Sequence, residues 1–171
     1  MVPIGTESWF AVQVSPKHEI KVATALNYKG YQQFVPTYLS RRCWSDRIRL
    51  IQKPLFSGYV FCRVHETTVG LVRTIPGVVR IIGFNGKPSP VPDAEIGALQ
   101  KVVESGVTAY PFALHLKVGQ RVEVSTGPLA GITGTLVQIR NRTHLVISVD
   151  LTMRAISVDM EAFEVRVLNV T

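Results

Sequence analysis

The sequence predicts an α+β protein made of two domains with different patterns. Residues up to about 106 alternate strand patterns with helix patterns, whereas residues from about 117 onward show only short strand patterns and tight turns. With 171 residues, 46% of them hydrophobic and 18% charged, the chain can form two small cores and is too apolar for disorder. We therefore predict a first domain over 1–106, a linker over 107–116 and a second domain over 117–171.

The first domain begins with an aromatic and β-branched strand pattern over residues 9–14. Ser15-Pro16 favours the start of a helix and Gly30 favours its end. Residues 59–64 form the clearest further strand pattern. The other predicted elements, in chain order, are a strand over 31–39 interrupted by Pro36, a hairpin with its tip at Ser45-Asp46, a helix over 67–74, a strand over 78–82 and a helix from Asp93 to Gly106.

The second domain is predicted as a small barrel. Its five short strand patterns lie over 121–125, 135–140, 144–149, 155–158 and 163–167. Short, evenly spaced strands without helices are typical of closed barrels. Helical periodicity is missing between the two domains, which indicates a linker. Tyr110, Phe112 and Leu114 make that linker more apolar than a free tether, which suits packing against a neighbour.

Charge and cysteine content restrict the classes of function. The net charge is +7, of which residues 1–110 carry +6 and residues 111–171 carry +1. This asymmetry favours a polyanion as a partner of the first domain, although many soluble proteins are mildly basic. Cys43 and Cys62 have no metal-type spacing and are expected to be reduced, so we predict a cytoplasmic protein. No apolar run reaches about 18 residues and no secretory signal is evident, so we expect no membrane partner.

Two motifs carry a resemblance to a known family. The first is Pro54-Leu55-Phe56-Ser57-Gly58-Tyr59-Val60-Phe61, and the second is Val122-Glu123-Val124-Ser125-Thr126-Gly127-Pro128-Leu129-Ala130-Gly131-Ile132-Thr133-Gly134. In this order and spacing they resemble the NusG family of transcription elongation factors. The resemblance implies an N-terminal NGN domain, an antiparallel sheet flanked by helices, and a C-terminal KOW domain, a five-stranded SH3-like barrel. The Trp-Ser-Asp-Arg run over 44–47 is also similar to specialised paralogues, the UpxY-like antiterminators of polysaccharide operons, and the His65, Thr67 and Thr68 group is similar to a run in relatives such as RfaH.

The aromatic residues of the first domain are the candidate site for RNA polymerase. They are Trp9, Phe10, Phe56, Tyr59 and Phe61. Because side chains alternate along a strand, some of these rings should face away from the main core, and exposed aromatic residues often anchor interfaces. Burial in the core is the alternative, which we favour for Trp9, while we favour an interface for Phe56. The resemblance implies that Phe56 lies in a depression that receives the clamp helices of the large polymerase subunit. Ser57 stands where the family usually has proline, so this turn is expected to be less rigid.

A basic segment is the candidate nucleic-acid site. Its members are Arg41, Arg42, Trp44, Arg47, Arg49 and Lys53, and we add Arg73 from the following helix pattern. Guanidinium groups beside an indole suit phosphates and unstacked bases, whereas a solvated hairpin is the alternative, and both stay open. The resemblance implies contact with upstream or non-template DNA, or with nascent RNA.

Two further sites rest mainly on the resemblance. His65, Thr67 and Thr68 match a His-Thr-Thr run that contacts the gate loop of the other large polymerase subunit, although Glu66 interrupts the match. The alternative is that one threonine caps a helix. Leu129 and Ile132 lie in the loop through which KOW domains bind ribosomal protein NusE or termination factor Rho. Gly127-Pro128 is predicted to form a turn, and Gly131 and Gly134 are predicted to permit close backbone approach or positive φ. The alternative to a partner site is purely structural, since small barrels need such tight corners.

No catalytic or metal-binding arrangement is evident in the sequence. His18, His65, His115 and His144 lie in different predicted elements, and no paired carboxylates or phosphate-binding glycine loop occur. We expect a protein that is not an enzyme, uses no cofactor or metal and acts as a monomer. The predicted function is a NusG-like elongation or antitermination factor. The alternatives are an RNA-binding module of ribosomal type without polymerase contact and a protein-interaction scaffold.

Overall fold

The computed structural model of the chain describes residues 5–113, 119–160 and 164–168. The chain divides into two compact units, one running through Asp93 and the other beginning at Ala94. Both units combine strands with helical segments, so the predicted α+β class is confirmed. The division falls earlier than the predicted linker over 107–116. The domain limits 1–106 and 117–171 stay predictions.

The first unit is built around a four-stranded antiparallel sheet. In chain order its elements are β1 (Glu7–Val14), α1 (Glu19–Tyr28), β2 (Gln32–Phe34), β3 (Thr37–Trp44), β4 (Arg47–Pro54), β5 (Tyr59–His65), α2 (Val69–Val72), β6 (Val78–Ile81), β7 (Gly83–Phe84) and β8 (Lys87–Pro88). The central sheet has the strand order β2-β5-β1-β6. Each adjacent pair in it is antiparallel. Two separate hairpins, β3–β4 and β7–β8, accompany this sheet.

A single apolar cluster fills one face of the central sheet. Alternate residues of β1 and β5 meet side chains of α1 and α2 there, because residues two apart on a strand share a face. The cluster comprises Phe10, Val12, Val14, Val22, Ala23, Leu26, Val60, Cys62, Val64, Val69, Val72, Ile75 and Ile81. Helix α1 begins three residues after the predicted Ser15-Pro16 start, since Lys17 adopts a left-handed φ of 63° that a helix cannot contain.

The second unit contains a six-stranded antiparallel sheet. Its elements are α3 (Asp93–Ser105, entering from the end of the first unit), β9 (Ala109–Ala113), β10 (Gln120–Val124), β11 (Thr133–Ile139), β12 (Arg142–Val149), a 3-10 turn (Asp150–Thr152), β13 (Arg154–Asp159) and β14 (Val165–Val167). The strand order is β14-β10-β11-β12-β13-β9. The five predicted strands correspond to β10 to β14. Phe163, the predicted start of the last strand, lies outside the described residues.

Strand β9 occupies half of the predicted linker over 107–116. Residues 109–113 pair with β13 in an antiparallel register that joins Tyr110 to Ser157 and Phe112 to Ala155. The apolar part of the predicted linker thus pairs through its backbone with a distant strand. Pro111 is tolerated since β9 is at one end of the strand order. Leu114, another linker residue singled out above, lies outside the described residues. Closure into a barrel stays a prediction, because pairing between β9 and β14 is not seen in the described part of the chain.

None of the helices in the described ranges combines the length and apolar character that a membrane-spanning helix needs.

Candidate functional site

The β3–β4 hairpin is the most exposed feature of the first unit. The predicted tip at Ser45-Asp46 is confirmed, since Trp44 pairs with Arg47 across it. All residues from 41 to 50 are exposed. The base is anchored, because the backbone N–H of Leu55 donates a 2.8 Å hydrogen bond to the carbonyl of Pro36. The hairpin is thus a ribbon that is fixed at one end and open to solvent at the other.

The pairing register separates the hairpin side chains onto two faces. Directly paired residues of an antiparallel ribbon point to the same side, and successive residues alternate. Arg42 pairs with Arg49 and Trp44 with Arg47, so these four residues share one face. We call it the basic face. Its charged and aromatic members toward the tip are Arg42, Trp44, Arg47 and Arg49, and nearer the base it also carries Lys53, Tyr38, Ser40 and Ile51. The opposite face, called the apolar face, carries Leu39, Cys43, Ile48 and Leu50 together with Arg41.

The predicted nucleic-acid residues are therefore not all in one place. Arg41 lies on the apolar face, directly opposite Leu50. Arg73 is exposed at the C-terminal end of α2, outside the hairpin. The remaining five residues lie on the basic face, where the indole of Trp44 is 59% exposed. Asp46 at the tip lies 3.8 Å from Arg47, and both side chains are largely solvated, so this ion pair is weak.

The predicted polymerase-binding aromatic residues are mostly buried. Trp9, Phe10, Phe56 and Phe61 are each at most 4% exposed, and only Tyr59 is half-buried. The expectation that Phe56 presents an exposed ring is wrong, because Phe56 packs edge-to-face against Phe61 with ring centroids 5.5 Å apart. Alternation along the strand does not extend to Phe56, since β5 begins only at Tyr59.

The opposite face of the central sheet carries a row of aromatic side chains. Phe34 pairs with Phe61 across β2 and β5, and their ring centroids are 6.4 Å apart. Phe10 is part of the apolar cluster on the first face, so it is not a member of this row. Phe34 is half-buried and was not predicted as a site residue. Its alternation with Gln33 in a short polar strand was the sequence signal that could have identified it.

The turn before β5 is held by a buried carboxylate that the sequence did not single out. The backbone N–H of Gly58 donates a 2.8 Å hydrogen bond to Oε1 of Glu19, which is only 5% exposed. The carbonyl of Gly58 also accepts a 2.9 Å bond from the N–H of Val14. Gly58 has a φ of +85°, which a residue with a side chain rarely adopts. These contacts fix the turn although Ser57 occupies the position of the usual proline.

The His65, Thr67 and Thr68 group lies at the end of β5. His65 is half-buried, and its Nε2 is 3.9 Å from a carboxylate oxygen of Glu7. Thr68 precedes α2, but its hydroxyl donates to the carbonyl of His65 at 3.2 Å rather than accepting from a helix N–H. Thr67 is exposed. The predicted side-chain cap from Thr68 is therefore wrong, and Thr67 is the member of this group that faces solvent.

The predicted partner loop of the second unit is tightly folded. Leu129 is 0% and Ile132 is 4% exposed, so the expectation that they project from a loop tip is wrong. The N–H of Gly131 donates to the carbonyl of Val124 and that of Ile132 to the carbonyl of Leu129, which folds the loop back on β10. The ammonium group of Lys101 in α3 also donates to the carbonyl of Ala130. The exposed residues of this turn are Ser125, Thr126, Gly127, Pro128 and Gly131.

The close approach predicted for Gly134 is confirmed. A Cβ atom at this position would lie 2.7 Å from the carbonyl oxygen of Val146 on the neighbouring strand.

Reactive and metal-binding groups are sparse in the described part of the chain. No group of three or more His, Cys, Asp and Glu side chains that could hold a metal ion occurs among residues 5–113, 119–160 and 164–168. Burial raises the pKa of the Cys62 thiol from 9.0 to about 12, and the Glu7 carboxylate acts in the same direction. A thiol with so high a pKa is not a nucleophile at neutral pH. Cys43 is exposed on the hairpin.

Comparisons with known proteins decide the family. The family described as "Transcription termination factor nusG" matches residues 7–100, more than half of the chain. The chain belongs to the NusG family. A NusG-named relative from Vibrio vulnificus is 28% identical over 174 residues, covering 94% of this chain and 96% of its own length. Another from Helicobacter pylori (strain 26695) is 32% identical over 140 residues, covering 75% of this chain and 79% of its own.

Among solved structures, this NusG-family chain is similar to one described as "Domain interaction in Thermotoga maritima NusG". The TM-score is 0.47 at 20% identity, with 95% of this chain and 93% of that chain covered. The matched range 7–100 contains the whole of the hairpin and the central sheet. Strands β9 to β14 lie beyond that range. The predicted membership of the NusG family is confirmed.

Proposed function

We propose that this protein is a transcription termination or antitermination factor that binds RNA polymerase through its first unit and a second partner through its C-terminal sheet. The observation that carries the proposal is the near-complete alignment with relatives. The Vibrio vulnificus protein is named "Transcription termination/antitermination protein NusG", and the alignment covers 94% of this chain and 96% of that protein. A chain that aligns over its whole length is expected to have both parts of the family's activity.

The polymerase contact is assigned to the aromatic face of the central sheet. Phe56 and Phe61 are fully buried and cannot themselves be the first point of contact. They support Phe34 and Tyr59, which are half-buried on the same face. Partly exposed aromatic residues on a rigid base make effective anchors, because little side-chain entropy is lost on binding. We propose that Phe34 and Tyr59 receive the clamp helices of the large polymerase subunit, while Trp9, Phe56 and Phe61 hold them in position.

Two other surfaces complete the proposed complex. The basic face of the hairpin contacts upstream or non-template DNA, or nascent RNA, near the polymerase. Its four cations would give an attraction that does not depend on base sequence and that weakens with salt. Exposed Thr67 beside half-buried His65 contacts the gate loop of the other large subunit. Together these contacts would bridge the polymerase and reduce pausing.

The second unit is proposed to recruit ribosomal protein NusE or termination factor Rho. Residues 125–128 and Gly131 are the exposed part of the turn after β10. Leu129 and Ile132 lie beneath them in the core and set the conformation of the turn. The partner would therefore contact the exposed backbone and side chains of this turn. Leu129 and Ile132 would affect binding only by holding the turn in its conformation.

Binding to purified core RNA polymerase tests the proposal directly. The full chain should form a complex with the polymerase in the absence of any nucleic acid. Tyr59→Ala should weaken that complex, because truncation of a central aromatic anchor typically costs about 2–4 kcal/mol of binding free energy. Phe84→Ala is the matched control, since Phe84 is a 67% exposed aromatic residue outside the central sheet. Circular dichroism of both variants checks that the fold is intact.

A chain that binds structured RNA but forms no complex with the polymerase would instead favour the RNA-binding module of ribosomal type. Equal polymerase affinity for Tyr59→Ala and the unmodified chain would refute the aromatic assignment alone. A transcription pausing assay with the unmodified chain then tests the consequence of binding, with shorter pauses as the expected result.

A further inference from the structure

The hairpin differs from the rest of the first unit in having two solvent-exposed faces of opposite character. Leu39, Ile48 and Leu50 on the apolar face are 61–65% exposed. The basic face on the other side of the same ribbon carries four positive charges and one exposed indole. A hairpin that was merely solvated would be expected to mix these residue types. Over residues 41–50, Arg41 is the one cation on the apolar face, and Tyr38 and Ile51 join the basic face only nearer the base of the hairpin. This separation near the tip indicates that the two faces meet different surroundings.

We propose that the basic face binds single-stranded nucleic acid, with Trp44 stacked on an unpaired base and Arg41 taking no part. This inference rests on the proposed function, because it names the kind of nucleic acid and the residues for the contact assigned there to the hairpin. It also excludes Arg41 from the predicted nucleic-acid site, because the backbone register places this residue on the apolar face.

The arrangement of the cations suits a strand of phosphates. Arg47, Arg49 and Lys53 lie on one side of β4, with Ile51 between the last two, and residues two apart on a strand are about 7 Å from each other. From Arg47 to Lys53 the row is therefore about 20 Å long, which spans several nucleotides of an extended strand. Arg42 stands beside Arg49 on the neighbouring strand and broadens the row. Within residues 37–54 the only carboxylate is that of Asp46, at the tip.

Trp44 decides between a single strand and a duplex. Its indole is 59% exposed next to the tip, on the same face as the cations. An aromatic ring can stack on a base only when that base is free of its neighbours, as in a single strand. A two-stranded ribbon can also enter the major groove of a duplex, but there the bases present their edges and offer no face for stacking. Phosphate-binding side chains with an aromatic platform are the combination found in single-strand-binding grooves.

Arg41 and Arg42 make a matched pair for testing the proposal. They are adjacent on β3, both are exposed, and they point to opposite faces because successive residues alternate. Arg41→Gln and Arg42→Gln remove the same charge from positions one residue apart. A general effect of net charge would be equal in the two variants, whereas a contact on the basic face would appear in only one.

The experiment measures binding of the full chain to labelled oligonucleotides in the absence of polymerase. The probes are oligothymidine, oligouridine and a DNA duplex, each of about 15 nucleotides or base pairs. Fluorescence anisotropy is recorded between about 50 and 200 mM salt. Quenching of tryptophan emission reports stacking, since Trp9 is 4% exposed and Trp44 is the accessible indole. Comparison of the thymidine and uridine probes distinguishes a DNA source of the strand from an RNA source.

The expected results follow from the contacts. Both single strands, or one of them, should bind more tightly than the duplex. Trp44→Ala should weaken single-strand binding by about 5- to 150-fold and abolish the quenching. Arg42→Gln should reduce the slope of log affinity against log salt by about 0.7, and Arg41→Gln by less than half of that.

Four outcomes would overturn the proposal. They are absence of oligonucleotide binding, duplex binding at least as tight as single-strand binding, an affinity unaffected by Trp44→Ala, and equal effects of the two arginine variants. Polymerase binding without oligonucleotide binding would leave the proposed function intact and remove only this inference. Oligonucleotide binding without polymerase binding would support this inference and refute the proposed polymerase contact.

Discussion

Replacing Phe56 with alanine should strongly destabilise the first unit. The ring is 0% exposed and packs edge-to-face on Phe61 at 5.5 Å. Truncation of a buried phenylalanine to alanine costs about 3–5 kcal/mol, a range that includes the cavity left behind. For a unit of this size, each kcal/mol shifts the melting temperature by about 4–8 °C. The expected decrease is therefore at least about 12 °C, measured by thermal and urea unfolding with circular dichroism.

Phe84→Ala provides the control for this prediction. Phe84 is 67% exposed, so the same chemical change should alter the unfolding free energy by no more than about 0.5 kcal/mol. If Phe56→Ala also unfolded within about 0.5 kcal/mol of the unmodified chain, the assignment of Phe56 to the core would be refuted. An exposed anchor, as the sequence predicted, would give that result together with loss of polymerase binding.

Three further predictions concern the turn, the thiols and a helix. Glu19→Ala should lower the unfolding free energy by about 1–3 kcal/mol, since it removes the acceptor of the buried Gly58 N–H; an unchanged urea midpoint would contradict this. Cys43 should react rapidly with a thiol reagent at pH 8 and Cys62 only after unfolding. Because the native pKa of Cys62 lies above its unfolded value, its contribution to stability is complete below about pH 9 and is lost as pH rises toward 12, which urea titrations at several pH values would measure. Gly97→Ala should stabilise the chain by about 0.5–1 kcal/mol, because open space surrounds this position in α3, and a lower melting temperature would argue against it.

Local patterns were sufficient for most elements of the fold. Aromatic and β-branched runs identified β1 and β5, whose residues are buried on both faces, and short strand patterns between tight turns identified β10 to β14. The tip at Ser45-Asp46 sets the hairpin register, so the two faces of the hairpin follow from the sequence once the tip is known. The β7–β8 hairpin was missed although Asn85-Gly86 is a strong turn signal, and both residues adopt positive φ as that turn requires.

The parts that the sequence did not predict depend on contacts between distant residues. Strand β9 forms because 109–113 pairs with β13, more than forty residues later in the chain. The turn at Gly58 is held by Glu19, which is 39 residues away. Neither partner can be identified from periodicity, since long-range pairing leaves no local pattern.

Residue types and their spacing determined the family, the α+β class and the basic, aromatic character of the hairpin. Tertiary structure alone decided which of the candidate residues are accessible. Phe56 and Leu129 occupy turns that fold back onto the core, and strand alternation cannot predict the direction of a side chain in a turn. Trp44 is exposed because the hairpin is open to solvent from residue 41 to residue 50. Aromatic residues are therefore mostly buried in the motif over 54–61 and accessible in the hairpin.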